Sequence, residues 1–98
     1  MAQKVKEIVK DPDSELDWQW DWSEWLAAMD DDVLDAGSSE FIATGLTIIN
    51  SNFDSVAGTA TVWVSGGTLG EVAEVTCRIR TVAGRVEDST KKFYILAK

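Results

Sequence analysis

The sequence predicts an all-β fold, a single antiparallel β-sandwich of about seven short strands. Three observations support this. Apolar and polar residues alternate with a period of two in several short runs, turn-forming residues separate those runs at fairly even intervals, and helical periodicity is confined to residues 23–29. The length of 98 residues is that of one domain with one core. We therefore expect residues 1–98 to form a single domain.

The N-terminal part supplies the first strands and a short helical turn. Val5 to Lys10 fits a strand, residues 1–10 as a whole fit an edge strand or an arm, and the Asp11 to Ser14 cluster that follows favours a turn. Leu16 to Trp22 alternates strictly, so its apolar residues share one face. Ser23 to Met29 fits one or two helical turns, capped by the first residue of the segment. The three aspartates at 30–32 are expected to form a solvated loop.

The remaining segments are short strands joined by polar or glycine-containing turns. Asn50 to Asp54 is expected to be a turn. Strands with alternating faces at this density are typical of an immunoglobulin-like sandwich. The predicted strands are Val33–Ala36, Phe41–Thr44, Leu46–Ile49, Thr59–Ser65, Val72–Val82 and Arg85–Leu96. The residues that share an apolar face in Thr59–Ser65 and Val72–Val82 are Ala60, Val62, Val64, Ala73, Val75, Cys77 and Ile79. In the last strand Phe93 and Ile95 point to one face, and Tyr94 and Leu96 point to the other.

Charge is distributed unevenly along the chain. Asp and Glu number 17 and Lys and Arg number 9, which gives a net charge of -8. Between Asp11 and Glu40 there are eleven acids and no Lys or Arg, whereas all three arginines and three of the six lysines lie in the last 21 residues. A phosphate backbone requires cations, so nucleic acid is excluded as a partner. The asymmetry suits docking on a basic neighbour, or head-to-tail contact between copies.

Several kinds of chemistry are excluded by composition. The chain has no histidine, which removes the Ser-His-Asp and Cys-His mechanisms. Its acids fall in loops or on polar strand faces, where water keeps them ionised, so we predict no enzymatic activity, no small-molecule substrate and no cofactor. Cys77 is the single cysteine and is expected to be a small buried apolar residue. Neither a signal peptide nor a membrane span is predicted, and a reducing compartment at synthesis is expected.

The acids offer one weak candidate for a metal site. They recur at every second position from Asp11 to Asp17, as in a calcium-binding loop. Leu16, however, stands where that loop requires glycine, and Trp22 stands where it requires a bidentate glutamate. The aspartates at 30–32 leave a weak cation site open as an alternative to the solvated loop. We predict no metal.

Tryptophan gives the strongest signal in the sequence. Trp18, Trp20 and Trp22 alternate along one strand face, and Trp25 follows. A domain of this size is expected to bury one or two indoles of about 200 Å² each, so the surplus is expected at a protein interface. A core seam and a sugar-stacking ladder are the alternatives. Trp63 lies on a polar strand face, as contact aromatics do. The predicted interface residues are Trp22, Trp25, Trp63, Arg78 and Arg80.

Two segments carry a resemblance to a known family. KDPDSELDWQWDWSEWLA at residues 10–27 and TATVWVSGGTLGEVAEVTCRIRTVAGR at residues 59–85 resemble small virion proteins of tailed bacteriophages, of the fiber-tail adaptor type. The resemblance runs from about Lys10 to the C-terminus. The segment from Asp30 to Phe41 is more acidic than is typical of that family.

The resemblance implies an immunoglobulin-like, non-enzymatic, multicopy component of the virion, made in the bacterial cytoplasm. Its expected partners are other virion proteins of the tail, neck, fiber or capsid, and its expected role is to attach fibers or other appendages to the tail or neck. A decoration protein on the capsid surface is the alternative structural role. A carbohydrate-binding module that uses the tryptophan ladder is the alternative from another functional class.

Overall fold

The computed structural model describes residues 6–97, and side chains from residue 8 onwards, as two packed β-sheets with one short helix. This confirms the predicted all-β sandwich. Among residues 6–97 no helix has both the length and the apolar character needed to cross a bilayer. The described elements are β1 (Lys6–Lys10), β2 (Leu16–Asp21), α1 (Ser23–Ala28), β3 (Glu40–Thr44), β4 (Thr47–Asp54), β5 (Thr59–Ser65), β6 (Val72–Arg80) and β7 (Val86–Ile95).

The order of the strands is that of an immunoglobulin-like sandwich. One sheet has the order β2-β5-β4, and the other has the order β1-β7-β6-β3. If β2 to β7 are taken as strands B to G, these are the B-E-D and C-F-G arrangements of that fold. β1 extends the second sheet as an edge strand and pairs with β7 in parallel, with Ile8 opposite Phe93. This pair departs from the antiparallel pairing expected throughout. Val5, predicted to begin the first strand, lies outside the described residues.

Helix α1 starts where the sequence indicated, but its predicted cap is wrong. The residue in the cap position is Trp22, and it makes no side-chain capping bond. Instead the Asp21 carboxylate accepts hydrogen bonds from the Ser23 backbone N–H at 2.9 Å and from the Ser23 hydroxyl at 2.6 Å. Asp21 lies at the exposed end of β2, which allows its short side chain to reach forward over the turn. These bonds lower the pKa of Asp21.

Two predicted elements differ from the structure. Val33–Ala36 is not a strand, because only Leu34 forms a bridge, to Thr81, and only Leu34 in that segment is buried. Asn50–Asp54 is not a turn but the second half of β4. Its polar residues lie on an exposed edge strand that pairs with β5, and a bulge after Ile48 shifts the register of that pairing.

The core contains three indoles, more than the one or two that the size of the domain suggested. Trp20, Trp22 and Trp25 are 4%, 1% and 6% exposed. Two features make room for them. The small Ala60 is the cross-strand neighbour of Trp20, and α1 folds over one end of the sandwich so that Trp25 packs edge-on against Trp22 with centroids 5.6 Å apart. The interior therefore hides most of the indole surface.

Candidate docking surfaces

The tryptophan ladder of β2 faces the core. Trp20 and Trp22 are buried and Trp18 is half-buried, edge-on to Phe93 with centroids 6.1 Å apart. A ladder in this position cannot stack on sugars, so the carbohydrate-binding hypothesis based on it is wrong. Trp22 and Trp25 were predicted as contact residues, and their burial leaves almost no surface for a partner to touch. The core-seam interpretation describes these residues correctly.

A buried lysine occupies the space beside the ladder. The Lys91 ammonium lies 4.3 Å from the centroid of the Trp20 ring and 5.6 Å from that of Trp18, and it donates to the Gln19 carbonyl at 3.0 Å. The indole N–H of Trp20 donates to the Ser89 hydroxyl at 3.2 Å. Cation–π attraction strengthens when the charge is desolvated, and Lys91 is only 7% exposed. The electron-rich faces of the indoles thus bind a lysine of the same chain.

A second lysine is completely buried, at the end of the sandwich that carries the loop between β5 and β6. Lys10 is 0% exposed, and its ammonium donates to three carbonyl oxygens, those of Asp11 at 2.9 Å, Ser14 at 2.6 Å and Gly66 at 2.8 Å. All three N–H donors are used, as a buried ammonium requires. Burial lowers the pKa of Lys10, and nearby acids partly oppose that shift. The side chain joins the turn after β1 to the loop between β5 and β6.

The predicted solvated loop at 30–32 is wrong for one of its three aspartates. The Asp32 side chain is 3% exposed, and its carboxylate accepts from the Arg85 guanidinium at 2.7 Å, the Val33 N–H at 2.8 Å and the Ala83 N–H at 3.2 Å. A hydrogen bond from Thr81 does most to hold the pKa of Asp32 down at about 2, and the bonds from Arg85, Val33 and Ala83 add to it. Asp32 therefore ties this loop to the β6–β7 hairpin.

The two predicted contact arginines lie on the outer face of the four-stranded sheet and are already paired. Arg78 makes two parallel hydrogen bonds to Asp88, at 2.9 and 3.0 Å, which raise its pKa and lower that of Asp88. Arg80 lies 3.7 Å from Glu40 and donates to the Ser38 carbonyl at 3.1 Å. A partner that bound these side chains would have to replace their internal bonds.

Trp63 is the exception among the tryptophans, because 41% of its surface is exposed. It projects from β5, the central strand of the three-stranded sheet, on the outer face. Its cross-strand neighbours are Asp17 on β2 and Asn50 on β4. The bulged Ile49 beside Asn50 is 48% exposed. We call this outer face the Trp63 face; it comprises Asp17, Gln19, Asp21, Ile49, Asn50, Asn52, Asp54, Thr59, Thr61, Trp63 and Ser65.

The Trp63 face carries acids and amides but no cation. The sequence has no Lys or Arg from Asp11 to Cys77, so none of the three strands of this sheet contributes one. The five predicted contact residues therefore do not form one site. Two are in the core, Trp63 is on one outer face, and Arg78 and Arg80 are on the opposite outer face.

A further apolar surface lies on the loops beside α1, and sequence analysis did not identify it. Val33, Val56 and Val82 are 46%, 98% and 73% exposed. They come from three different loops, and two of them, Val33 and Val56, line a shallow cavity of about 230 Å³. The sequence carries no signal for this surface, because Val33 and Val82 fall within the predicted strands Val33–Ala36 and Val72–Val82, and only the topology shows that the three valines share one end of the sandwich.

The described side chains form no cluster suited to metal binding. Among residues 8–97 no cluster of three or more His, Cys, Asp or Glu side chains could hold a metal ion. Cys77 is 0% exposed, in agreement with the prediction, and burial raises the pKa of its thiol to about 12. A thiol in that state is not a nucleophile at neutral pH.

Comparison with known proteins agrees with the resemblance seen in the two sequence segments. A search among curated proteins gives no match. Residues 10–93 match the model of a family described as Podophage GP4 fiber-tail adaptor protein gp77. The match spans every described strand except most of β1 and the last two residues of β7. The chain accordingly belongs to this family of podophage fiber-tail adaptor proteins.

Proposed function

We propose that the protein is a non-enzymatic virion adaptor that attaches a fiber or other appendage to the tail or neck, and that one of its contacts is made through the Trp63 face. The observation that carries this proposal is the half-exposed indole at the centre of an uncovered sheet face, in a protein that buries three of its other four tryptophans and half-buries the fourth. Family membership supports the adaptor role.

The exposed indole is large enough to anchor a contact. A tryptophan covers about 150–250 Å², so covering the exposed 41% of Trp63 removes about 60–100 Å² from water. At ~25 cal/mol per Å² this contributes about 2 kcal/mol, the size of an interface hot spot. The small polar side chains of Thr61 and Ser65 flank it on the same strand face and leave the ring accessible.

Charge favours a neighbour with a basic surface over a second copy of this chain. Of its cations, Lys10 and Lys91 are buried, while Arg78, Arg80 and Arg85 are bonded to acids of the same chain. The described surface thus has few cations with which to meet the acidic Trp63 face of another copy. A head-to-tail contact between copies, which the charge asymmetry alone suggested, is therefore the less favoured arrangement. In the proposed complex Asp17 and Asp21 orient a basic partner, which governs encounter more than affinity.

The test is incorporation into particles. The Trp63→Ala variant is supplied in place of the natural protein during infection, and the abundance of the variant in purified particles is measured by quantitative mass spectrometry. The matched control is Val72→Ala, which alters a 51% exposed residue on the outer face of the other sheet. We expect Trp63→Ala to bind about 30-fold more weakly, in line with about 2 kcal/mol, and the control to incorporate normally. Normal incorporation of a folded Trp63→Ala would remove this face from the proposal.

A further inference from the structure

We infer that the loop-bearing end of the sandwich is a second docking surface, and that its occupant is a basic segment of another virion protein that inserts an apolar side chain among three valines. This inference rests on the proposed adaptor function, because an adaptor needs two contacts. We call this surface the loop end; it comprises residues 22–35, 55–58 and 81–85.

The three loops of this end are held against one another by backbone hydrogen bonds. The Trp22 N–H donates to the Gly58 carbonyl at 2.8 Å, which joins the first loop to the second. The Val82 N–H donates to the Val33 carbonyl at 2.9 Å, which joins the first loop to the third. In strand nomenclature these are the B–C, D–E and F–G loops, and B–C and F–G belong to the end that antibody variable domains use for binding.

The apolar content of the loop end is concentrated. Scattered exposed apolar residues are ordinary, but here each of three adjoining loops presents one valine. Val56 is almost fully exposed, and Val56 and Val33 share the cavity of about 230 Å³ with the aliphatic parts of Leu26 and Ala27. That volume is below the ~300 Å³ usual for small-molecule sites. It is suited to a single inserted side chain.

The charge of the loop end identifies the chemistry of its occupant. Asp31 lines the cavity, and Asp30 and Glu24 are exposed nearby. Among these loop residues the one cation is Arg85, and its guanidinium is bonded to Asp32 at 2.7 Å. Lysines or arginines that flank the inserted apolar side chain would meet this negative rim. An acidic segment would be repelled there, and a neutral segment would leave these acids without a charged partner.

The surface is also preorganised, which reduces the ordering cost of binding. The Asp54 carboxylate accepts from the Val56 and Ala57 N–H groups, both at 3.0 Å, and so fixes the tip of the second loop. Asp32 fixes the first loop to the third through Arg85 and Ala83. The exposed valines therefore stand on loops that are already ordered.

The loop end and the Trp63 face can be occupied at the same time. Trp63 lies four residues along β5 from Thr59, the residue next to the loop end, a distance of about 13 Å at ~3.3 Å per residue. It also faces sideways from the sheet, whereas the valines are carried by loops at the end of the strands. Two partners could thus contact one copy.

The first experiment compares Val56→Lys with Leu69→Lys by incorporation into particles, measured as for Trp63→Ala. Leu69 is 60% exposed and lies in the loop at the opposite end of the sandwich, so both variants add one charge at an exposed apolar position. Thermal unfolding of each purified variant shows that it is folded. We expect Val56→Lys to reduce incorporation at least about tenfold and Leu69→Lys to leave it unchanged. Equal incorporation of the two variants would overturn the inference.

The second experiment tests the charge of the occupant. Asp30 and Asp31 both have left-handed backbone angles, φ 63° and 53°, which asparagine also tolerates, so Asp30→Asn/Asp31→Asn removes two charges without straining the loop. The control is Asp13→Asn/Glu15→Gln, two exposed acids at the other end. We expect about a fivefold loss for the first pair and none for the second. No difference between the pairs would overturn the basic-partner assignment.

The two proposals fail in different ways. If Trp63→Ala reduces incorporation while Val56→Lys does not, the loop end is not a contact and the adaptor function stands. If the natural protein is itself absent from purified particles, the adaptor function is wrong.

Discussion

Replacing the buried Lys10 by methionine tests how the fold accommodates a charge in its interior. Methionine keeps an unbranched chain of similar length but cannot donate hydrogen bonds. The ammonium now serves three carbonyls, and the Asp11 carbonyl keeps other donors in the Ser14 N–H and hydroxyl. The carbonyls of Ser14 and Gly66 would lose the side-chain donor that holds them.

The expected cost follows from those two carbonyls. Leaving a buried acceptor unpaired costs about 1–3 kcal/mol, and both residues are only half-buried, which favours the lower part of that range. Removing a desolvated charge offsets part of this destabilisation, and the lowered pKa of Lys10 shows that its charge is desolvated. We expect Lys10→Met to reduce the free energy of unfolding by about 2 kcal/mol.

The assay is urea unfolding followed by tryptophan fluorescence, since the buried indoles report on loss of the core. Lys92→Met is the control, because Lys92 lies on the outer, half-buried side of β7 and its replacement should change stability by less than about 0.5 kcal/mol. If Lys10→Met were as stable as the natural protein, the three hydrogen bonds of Lys10 would make no net contribution to stability, contrary to this prediction.

Three further predictions concern stability and reactivity. Because the pKa of Asp32 is lowered from 3.8 to about 2, the stabilisation by its carboxylate is complete above pH 3.8 and is lost as the pH falls through about 2. Asp32→Asn should therefore flatten the dependence of the urea midpoint on pH in that range. The Cys77 thiol, with its pKa raised to about 12, should react with a disulfide reagent only after unfolding; fast labelling of the native protein would contradict its burial. Gly67→Ala should destabilise the protein by about 1–3 kcal/mol in urea unfolding, because φ is 108° and the added Cβ would lie 2.7 Å from Ile95 Cδ1. Gly84→Ala, at φ 97° with open space around it, should cost less.

Periodicity predicted the faces of the strands well because a strand alternates regardless of its neighbours. Val62 and Val64 are buried and Trp63 between them is exposed, as alternation requires. The same alternation placed Lys91 in phase with Phe93 and Ile95, and so indicated a buried lysine. Lysine is rarely buried without a specific partner, and the Gln19 carbonyl and Trp20 ring that Lys91 contacts lie far from it in the sequence.

Other features could not be predicted, because they depend on residues far apart in the chain. Nothing local distinguishes Asp32 from Asp30 and Asp31; its burial is determined by Arg85, 53 positions later. The polar run at Asn50 is a strand because β5 supplies a partner, which overrides its turn-forming composition.

The site shows the same division between local and distant effects. Trp63 was identified correctly as surface-facing, because its exposure follows from the alternation of one strand. The burial of Trp22 and Trp25 could not be predicted, because it depends on how α1 closes the end of the sandwich. The valines of the loop end share a surface only through the strand order.

A reconstruction of the assembled particle in which this chain can be traced would show which proteins contact the chain and through which side chains. We predict that the chain lies at the junction of a fiber or other appendage with the tail or neck, and that two different neighbouring proteins cover the Trp63 indole and the Val56 side chain. A chain placed on the capsid lattice, or one with both of these side chains open to solvent, would contradict this prediction.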